Sequence, residues 1–154
     1  MGTISSGFSI RVFAAVLPAL LWLGGCGGPT SVTSLRDRPH RVYSFEAPAD
    51  YETVYFRIAR RAQERYRYTN LATYQPGVTA KLSPDGQSAT VTLWNAGGIG
   101  MRYVLTAALD ALDPARTGVN IYCATRASTQ EALLWQQWAN TPLEDAQEQS
   151  SPQN

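Results

Sequence analysis

Histidine, cysteine, lysine and long apolar runs are all scarce in this sequence of 154 residues. It contains 1 His and 2 Cys, a supply that leaves little for a metal site or for histidine-based catalysis, and no cofactor is expected. Its 13 Lys and Arg residues are almost balanced by 12 Asp and Glu residues, whereas nucleic-acid binders normally carry a strong basic excess. A chain that is 44% hydrophobic is nevertheless too apolar for disorder, and its length suits one domain.

The first 25 residues have the pattern of a secretion signal. A polar start with one basic residue, Arg11, leads into an apolar run from Val12 to Leu23. Crossing a bilayer takes roughly 20 apolar residues. This run is shorter and contains Pro18, so its length fits the apolar region of a signal peptide. The alternative is a membrane anchor.

The apolar run ends in Leu23-Gly24-Gly25-Cys26, which resembles the lipobox of bacterial lipoproteins. The resemblance implies that residues 1–25 are removed, that Cys26 is diacylated and that the new amino terminus is acylated. Two or more acyl chains hold a protein durably on a bilayer. Residue 27 is Gly and not Asp, which under enterobacteria-like sorting rules implies the outer membrane, with the domain facing the periplasm.

Composition divides the remaining chain into three parts. Residues 26–40 combine the lipid-bearing Cys26 with small and polar residues, which predicts a flexible tether. Residues 41–141 carry the periodic patterns of a single α+β domain. Residues 142–154 are rich in Gln, Ser, Glu and Asp, and we expect a disordered polar tail.

Alternating apolar positions predict several strands, and one helix is predicted by spacing. Strands are expected at residues 41–45, 78–82, 89–93 and 119–123, with Cys123 as a buried small hydrophobic residue. The turn Ser83-Pro84-Asp85-Gly86 joins the second and third of these into a hairpin. Apolar residues three or four apart predict a helix over residues 51–66, started by Pro48 and Asp50.

Two later segments complete the predicted fold. Residues 101–112 have helix-favouring Leu and Ala but also a period of two, and we predict a strand. Ser128 and Glu131 predict a capping box at the start of a last helix that Thr141 and Pro142 end. The predicted fold is a mainly antiparallel sheet of four to five strands with two helices packed on it, in the order β-α-β-β-β-β-α. At the level of fold it resembles the helix-grip arrangement of some envelope lipoproteins.

The outer face of the first predicted helix is the main candidate for partner binding. Its candidate residues recur three or four apart or flank that stripe: Phe56, Arg57, Arg60, Gln63 and Arg67. Residues 51–67 hold five Arg, Arg61 and Arg65 included, against Glu52 and Glu64. An aromatic residue among arginines is typical of interface hot spots, although a solvated helix face has the same composition.

The Gly-rich connection at residues 95–100 is the second candidate. It lacks the residues of a phosphate-binding loop and is predicted to be a hairpin loop that presents Ile99, with Trp94 and Met101 beside it, to a membrane or partner. Tyr66, Tyr68 and Tyr74 lie close to arginines in the sequence. They are expected to cover the core, the alternative being a sugar or peptide site.

Catalytic groups are not apparent. His40 follows Pro39 at the end of the predicted tether, where nothing fixes its orientation. Asp110 and Asp113 are better explained as a strand residue and a turn residue than as a pair of catalytic carboxylates for glycosidic cleavage. We therefore expect a non-catalytic interaction subunit of a cell-envelope complex for outer-membrane assembly, transport or secretion. The alternative, a small lipid- or acyl-chain-binding module, requires a cavity of about 300 Å³. A wall or envelope enzyme is the third hypothesis.

Overall fold

The predicted α+β fold is confirmed by the computed structural model, which describes residues 28–67, 74–98 and 100–143. The predicted signal peptide, Cys26, Tyr68, Ile99 and most of the predicted tail lie outside these residues. The elements in chain order are α1 (Val32–Asp37), β1 (Arg41–Ala47), α2 (Tyr51–Tyr66), β2 (Tyr74–Leu82), β3 (Ser88–Gly97), β4 (Gly100–Asp113), β5 (Arg116–Cys123) and α3 (Ser128–Asn140). No helix within the described ranges is long and apolar enough to cross a bilayer.

The strands form one 5-stranded antiparallel sheet in the order β1-β5-β4-β3-β2. Residues 101–112 lie in β4, so their period of two, and not their helix propensity, determined their structure. The register of β3 and β4 shifts by one residue between Leu93 and Trp94. Strands β1 and β2 are the two edges, and β2 carries Pro76, which lacks the N–H that a further strand would need.

Both longer helices pack on one face of the sheet. Because side chains alternate across a strand, the odd-numbered residues of β3 and β5 point to this face. They meet Val54, Ile58 and Ala62 of α2, which are fully buried, as the helical spacing predicts. Trp135 of α3 is the largest fully buried side chain. The space between helices and sheet is therefore packed, and Cys123 is buried in it as predicted.

The opposite face of the sheet is partly covered by α1, a helix within the predicted tether. The hydroxyl of Ser31 accepts a hydrogen bond from the Ser34 N–H, and the Ser34 hydroxyl accepts one in return. Leu35 is fully buried, and the Arg36 guanidinium contacts Thr90 and the ring of Tyr122. Residues 32–37 therefore belong to the folded domain.

The predicted capping box at the start of α3 is wrong. The helix begins at Ser128 after Ala127, which makes no side-chain cap. Instead, the Ser128 hydroxyl accepts a hydrogen bond from the Thr125 N–H at 3.1 Å and donates one to the Thr125 carbonyl at 2.7 Å. The carboxylate of Glu131 is held by Arg65 and Tyr66 of α2. A contact between helices has replaced the local cap.

The predicted hairpin between β2 and β3 is confirmed. Its turn places Gly86 at a φ of 65°, in the left-handed region that glycine adopts without cost. Farther along, the indole of Trp94 lies flat over Gly77 of β2. A Cβ at residue 77 would stand 2.2 Å from Trp94 Cζ2, so only glycine allows this approach.

Candidate functional site

The outward face of α2 carries an exposed stripe of predicted site residues. Phe56 is 53% exposed, and its ring makes an edge contact with the ring of Tyr55 at a centroid distance of 5.2 Å. Arg60, Gln63 and Arg67 follow at helical spacing and are exposed. We call these four residues the α2 stripe. An exposed aromatic side chain in line with arginines is the composition of interface hot spots, which makes the stripe a candidate contact surface.

The C-terminal half of the stripe opens onto a groove beside the edge strand β2. This groove, which we call the α2–β2 groove, has a volume of about 540 Å³. One wall consists of Arg60, Gln63, Glu64, Tyr66 and Arg67, and the other of residues 75–78. The structure therefore brings three of the predicted site residues together with a strand that the sequence had not linked to them.

Two arginines counted toward the basic face contact α3. Arg61 is only 9% exposed, and its guanidinium donates hydrogen bonds to the carbonyls of Trp138, Thr141 and Pro142 at 3.0, 2.9 and 2.6 Å. Arg57 donates to the Ala139 carbonyl at 3.1 Å. The last carbonyls of a helix have no partner within it and carry the negative end of its dipole, which these cations satisfy. The outward face of α2 therefore carries less positive charge than the number of arginines in its sequence suggests.

Acidic partners further moderate the charge of the groove. Arg60 Nε lies 2.9 Å from Glu64 Oε1, and both side chains are exposed. Arg65 Nη2 lies 3.3 Å from Glu131 Oε1, and the Tyr66 hydroxyl donates to the same carboxylate. Burial, followed by this hydrogen bond, raises the pKa of Tyr66, so its hydroxyl stays protonated and remains a donor. Tyr66 packs partly against the core, as predicted.

The predicted loop contact is only partly assembled. Met101 is 45% exposed at the start of β4, where it pairs with Ala96. Trp94 belongs to β3, and its indole N–H donates to the Thr79 hydroxyl at 3.0 Å, so this side chain is directed toward β2. Ile99 lies outside the described residues.

The other groups considered for chemistry are structurally engaged. A hydrogen bond from Arg116 at 2.7 Å, together with one from the Ala115 N–H, lowers the pKa of Asp113, which fits the predicted turn. Burial raises the pKa of Cys123, which keeps the thiol protonated and poorly nucleophilic. The backbone N–H of His40 donates to the Cys123 carbonyl. No group of three metal-ligating side chains occurs in the described part of the chain.

The two ends of the sheet differ in charge. Arg41, Arg102 and Arg126 come from different elements, but they share the end where β1 and β4 begin and β5 ends. The opposite end carries one arginine, Arg116, which pairs with Glu46 and Asp113, and a larger group of carboxylates: Glu46, Asp50, Glu52, Asp85, Asp110 and Asp113. Only the sheet topology brings these residues together, so no sequence pattern signals them.

No protein-family model matches the chain, and no curated protein is significantly similar to it.

Proposed function

We propose that this chain is an acylated lipoprotein of the bacterial cell envelope and acts as a non-catalytic interaction subunit of a larger envelope complex. Acyl chains on Cys26 hold it on the periplasmic face of the outer membrane. The partner is an envelope protein of an assembly, transport or secretion system. It docks on the α2 stripe and the adjoining α2–β2 groove, and nucleic acid is not a ligand.

The observation that carries this proposal is the exposure of Phe56 one helical turn before Arg60, which lines a polar groove. Interface anchors are commonly aromatic residues and arginines at the centre of a contact, and Phe56 and Arg60 lie one helical turn apart. A complementary partner would offer an apolar pocket for the phenyl ring. It would also offer carboxylates that compete with Glu64 for Arg60.

The anchor supports a role in the envelope independently of the stripe. The Leu-Gly-Gly-Cys sequence follows a short apolar segment at residues 12–23, as lipid attachment requires. Mass spectrometry of the mature amino-terminal peptide tests this part directly, since an unmodified Cys26 would contradict it.

Photo-crosslinking in living cells tests the docking surface. A photoreactive residue at position 56 is expected to capture one envelope protein at near-stoichiometric yield. Position 133 is the matched control, because Leu133 is 50% exposed on α3 and outside the stripe. Equal capture of the same protein from both positions would contradict the assignment of the surface. Amine-reactive linkers are unsuitable, because Lys81 is the only lysine.

Charge reversal provides a second test. Arg60→Glu combined with Arg67→Glu is expected to abolish recovery of the partner, because both substitutions place negative charge along the groove. Lys81→Glu is the matched control on an exposed cation of β2 that does not line the α2–β2 groove. Unchanged partner recovery with the double variant would show that these arginines are not part of the contact.

A small-ligand module remains the second candidate, because the α2–β2 groove exceeds the roughly 300 Å³ that ligand sites need. Its walls carry Arg60, Gln63 and Glu64, which favours a polar or anionic ligand over an acyl chain. Recovery of a phospholipid or glycan, and no protein, from position 56 would support this alternative.

A further inference from the structure

The first residues that the structure describes contact a defined place on the sheet. Strand β4 extends beyond β5, whose last residue Cys123 pairs with Leu105. On the edge of β4 that is left free there, the Tyr103 N–H donates to the Pro29 carbonyl at 3.0 Å. Gly28 lies beside Arg102, since a Cβ at residue 28 would stand 3.8 Å from Arg102 Cδ. The N-terminal segment is therefore docked against β4 from residue 28 onward.

The link between this docked segment and the acylated cysteine is very short. Cys26 precedes Pro29 by three residues, which span at most about 10 Å when fully extended. The β3–β4 hairpin projects past Tyr103 by a similar distance, because Gly100 is three residues away along the strand at about 3.4 Å each. If Cys26 is held at the bilayer surface, this end of the sheet therefore stays within about 10 Å of the lipid headgroups.

The charge of this end complements an anionic membrane surface. Arg41, Arg102 and Arg126 lie there, whereas at the opposite end carboxylates outnumber the single arginine, Arg116, which pairs with Glu46 and Asp113. Glu131, in the first turn of the helix that follows β5, pairs with Arg65. Arginines within a Debye length of anionic lipids are attracted to them, and an exposed Met101 beside them adds apolar contact.

We propose that the end of the sheet carrying Arg41, Arg102 and Arg126 rests on the anionic phospholipid surface in which Cys26 is anchored. This orientation depends on the acyl anchor of the proposed function. It directs the acidic end, with the turns around Asp85 and Asp113, away from the membrane. Helix α2 ends near the β2 residues that pair with the base of the β3–β4 hairpin. The orientation therefore places the C-terminal end of the α2 stripe close to the lipid and Phe56 farther into the periplasm.

Depth-dependent fluorescence quenching of the full acylated chain tests this orientation. The protein is reconstituted in vesicles of phosphatidylethanolamine and phosphatidylglycerol that contain a lipid with a nitroxide on its headgroup. A fluorophore is attached to Met101→Cys or, as the matched control, to Leu112→Cys at the opposite end, where the native side chain is 50% exposed. Cys123 is buried and escapes labelling of the native protein. We expect several-fold stronger quenching at position 101, and equal quenching at both positions would overturn the proposal.

Charge reversal separates the contribution of the arginines from that of the anchor. Arg102→Glu combined with Arg126→Glu is expected to reduce quenching at position 101 severalfold while the protein still floats with the vesicles. Lys81→Glu, on β2, is expected to leave it unchanged. Unchanged quenching in the double variant would overturn the role of the arginines.

Vesicle flotation distinguishes failure of this inference from failure of the proposed function. A chain that floats but is not quenched at position 101 retains its acyl anchor and contradicts only the orientation. A chain that does not float lacks the anchor and overturns both.

Discussion

The Tyr66 hydroxyl donates a hydrogen bond to the Glu131 carboxylate, which joins the last turn of α2 to the first turn of α3. Arg65 approaches the other oxygen of the same carboxylate. Arg57 and Arg61 connect the two helices again at the end of α3. Helix α2 is thus joined to α3 near its middle and at its C-terminal end, which fixes the part of the helix that carries Arg60 and Gln63.

Tyr66→Phe is expected to lower the free energy of unfolding by about 1–2 kcal/mol, because it removes a hydrogen bond to a charged acceptor. Urea denaturation measures this change. Tyr43→Phe is the matched control, since the Tyr43 hydroxyl makes no hydrogen bond to a residue that the structure describes, and it should change stability by less than about 0.5 kcal/mol. Equal losses in both variants would mean that the Tyr66–Glu131 bond contributes nothing.

The raised pKa of Tyr66 predicts a loss of stability in alkali. The unfolded chain releases this proton near the ordinary pKa of 10.0, while the folded chain retains it. The contribution is therefore fully present below about pH 10 and is lost as the pH rises toward the folded pKa, at up to about 1.4 kcal/mol per pH unit. Urea denaturation from pH 9 to 11 should show a steeper decline for the native sequence than for Tyr66→Phe. Parallel declines would contradict the assignment.

Arg61→Lys is expected to destabilise the domain by about 2 kcal/mol, although it keeps the positive charge. A lysine ammonium is a compact donor and does not reproduce the planar fork that reaches the carbonyls of Trp138, Thr141 and Pro142. Arg60→Ala, which removes an exposed pair with Glu64, should cost about 0.5 kcal/mol or less. Thermal or urea denaturation compares the two. A loss for Arg61→Lys no larger than for Arg60→Ala would refute the bracing role.

Leu35→Ala is expected to lower the free energy of unfolding by about 3 kcal/mol, because the Leu35 side chain of α1 is fully buried. The exposed Leu112 provides the control, and Leu112→Ala should cost less than about 1 kcal/mol. Hydrogen exchange gives a more local measurement. If α1 holds the N-terminal segment in place, the Tyr103 amide loses protection in Leu35→Ala before the amides of the sheet centre do. Uniform loss of protection would indicate global destabilisation only.

Gly77→Ala is expected to displace the Trp94 ring and cost about 2 kcal/mol, since the new methyl group would overlap that ring. The indole resonance of Trp94 should shift as its bond to Thr79 is lost. Gly98→Ala is the matched control, because nothing lies within 4 Å of a Cβ at that position. An unchanged indole resonance in Gly77→Ala would show that the ring does not cover residue 77.

Regular patterns in the sequence were sufficient for most of the fold. Helix α2 has apolar residues on one face over four turns, and the hairpin between β2 and β3 has alternation on both sides of a Pro-Asp-Gly turn. Helix α1 was missed because it has only 6 residues and a Ser- and Thr-rich composition typical of a linker. Only Ser31 and Ser34, spaced as a reciprocal cap, offered a local signal.

The candidate site was less accessible to sequence reasoning. Helical spacing correctly aligned Phe56 with Arg60, but counting charges did not reveal that Arg61 is directed toward the end of α3, 77 to 81 residues away in sequence. Glu131 is likewise bound by Tyr66, a residue distant in sequence, and does not take part in the predicted cap. Such long-range partners depend on how the elements pack, and periodicity within one element carries no information about them.

The docking of Pro29 and Leu35 has a consequence for any shortened form of this protein. A chain beginning at residue 41 would lack the partner of the Tyr103 N–H and the cover over the back of the sheet. An unpaired strand edge beside a newly uncovered apolar surface is a template for aggregation between molecules. A soluble version intended for crystallisation or binding assays therefore has to retain residues 28–40, which in composition look the most dispensable.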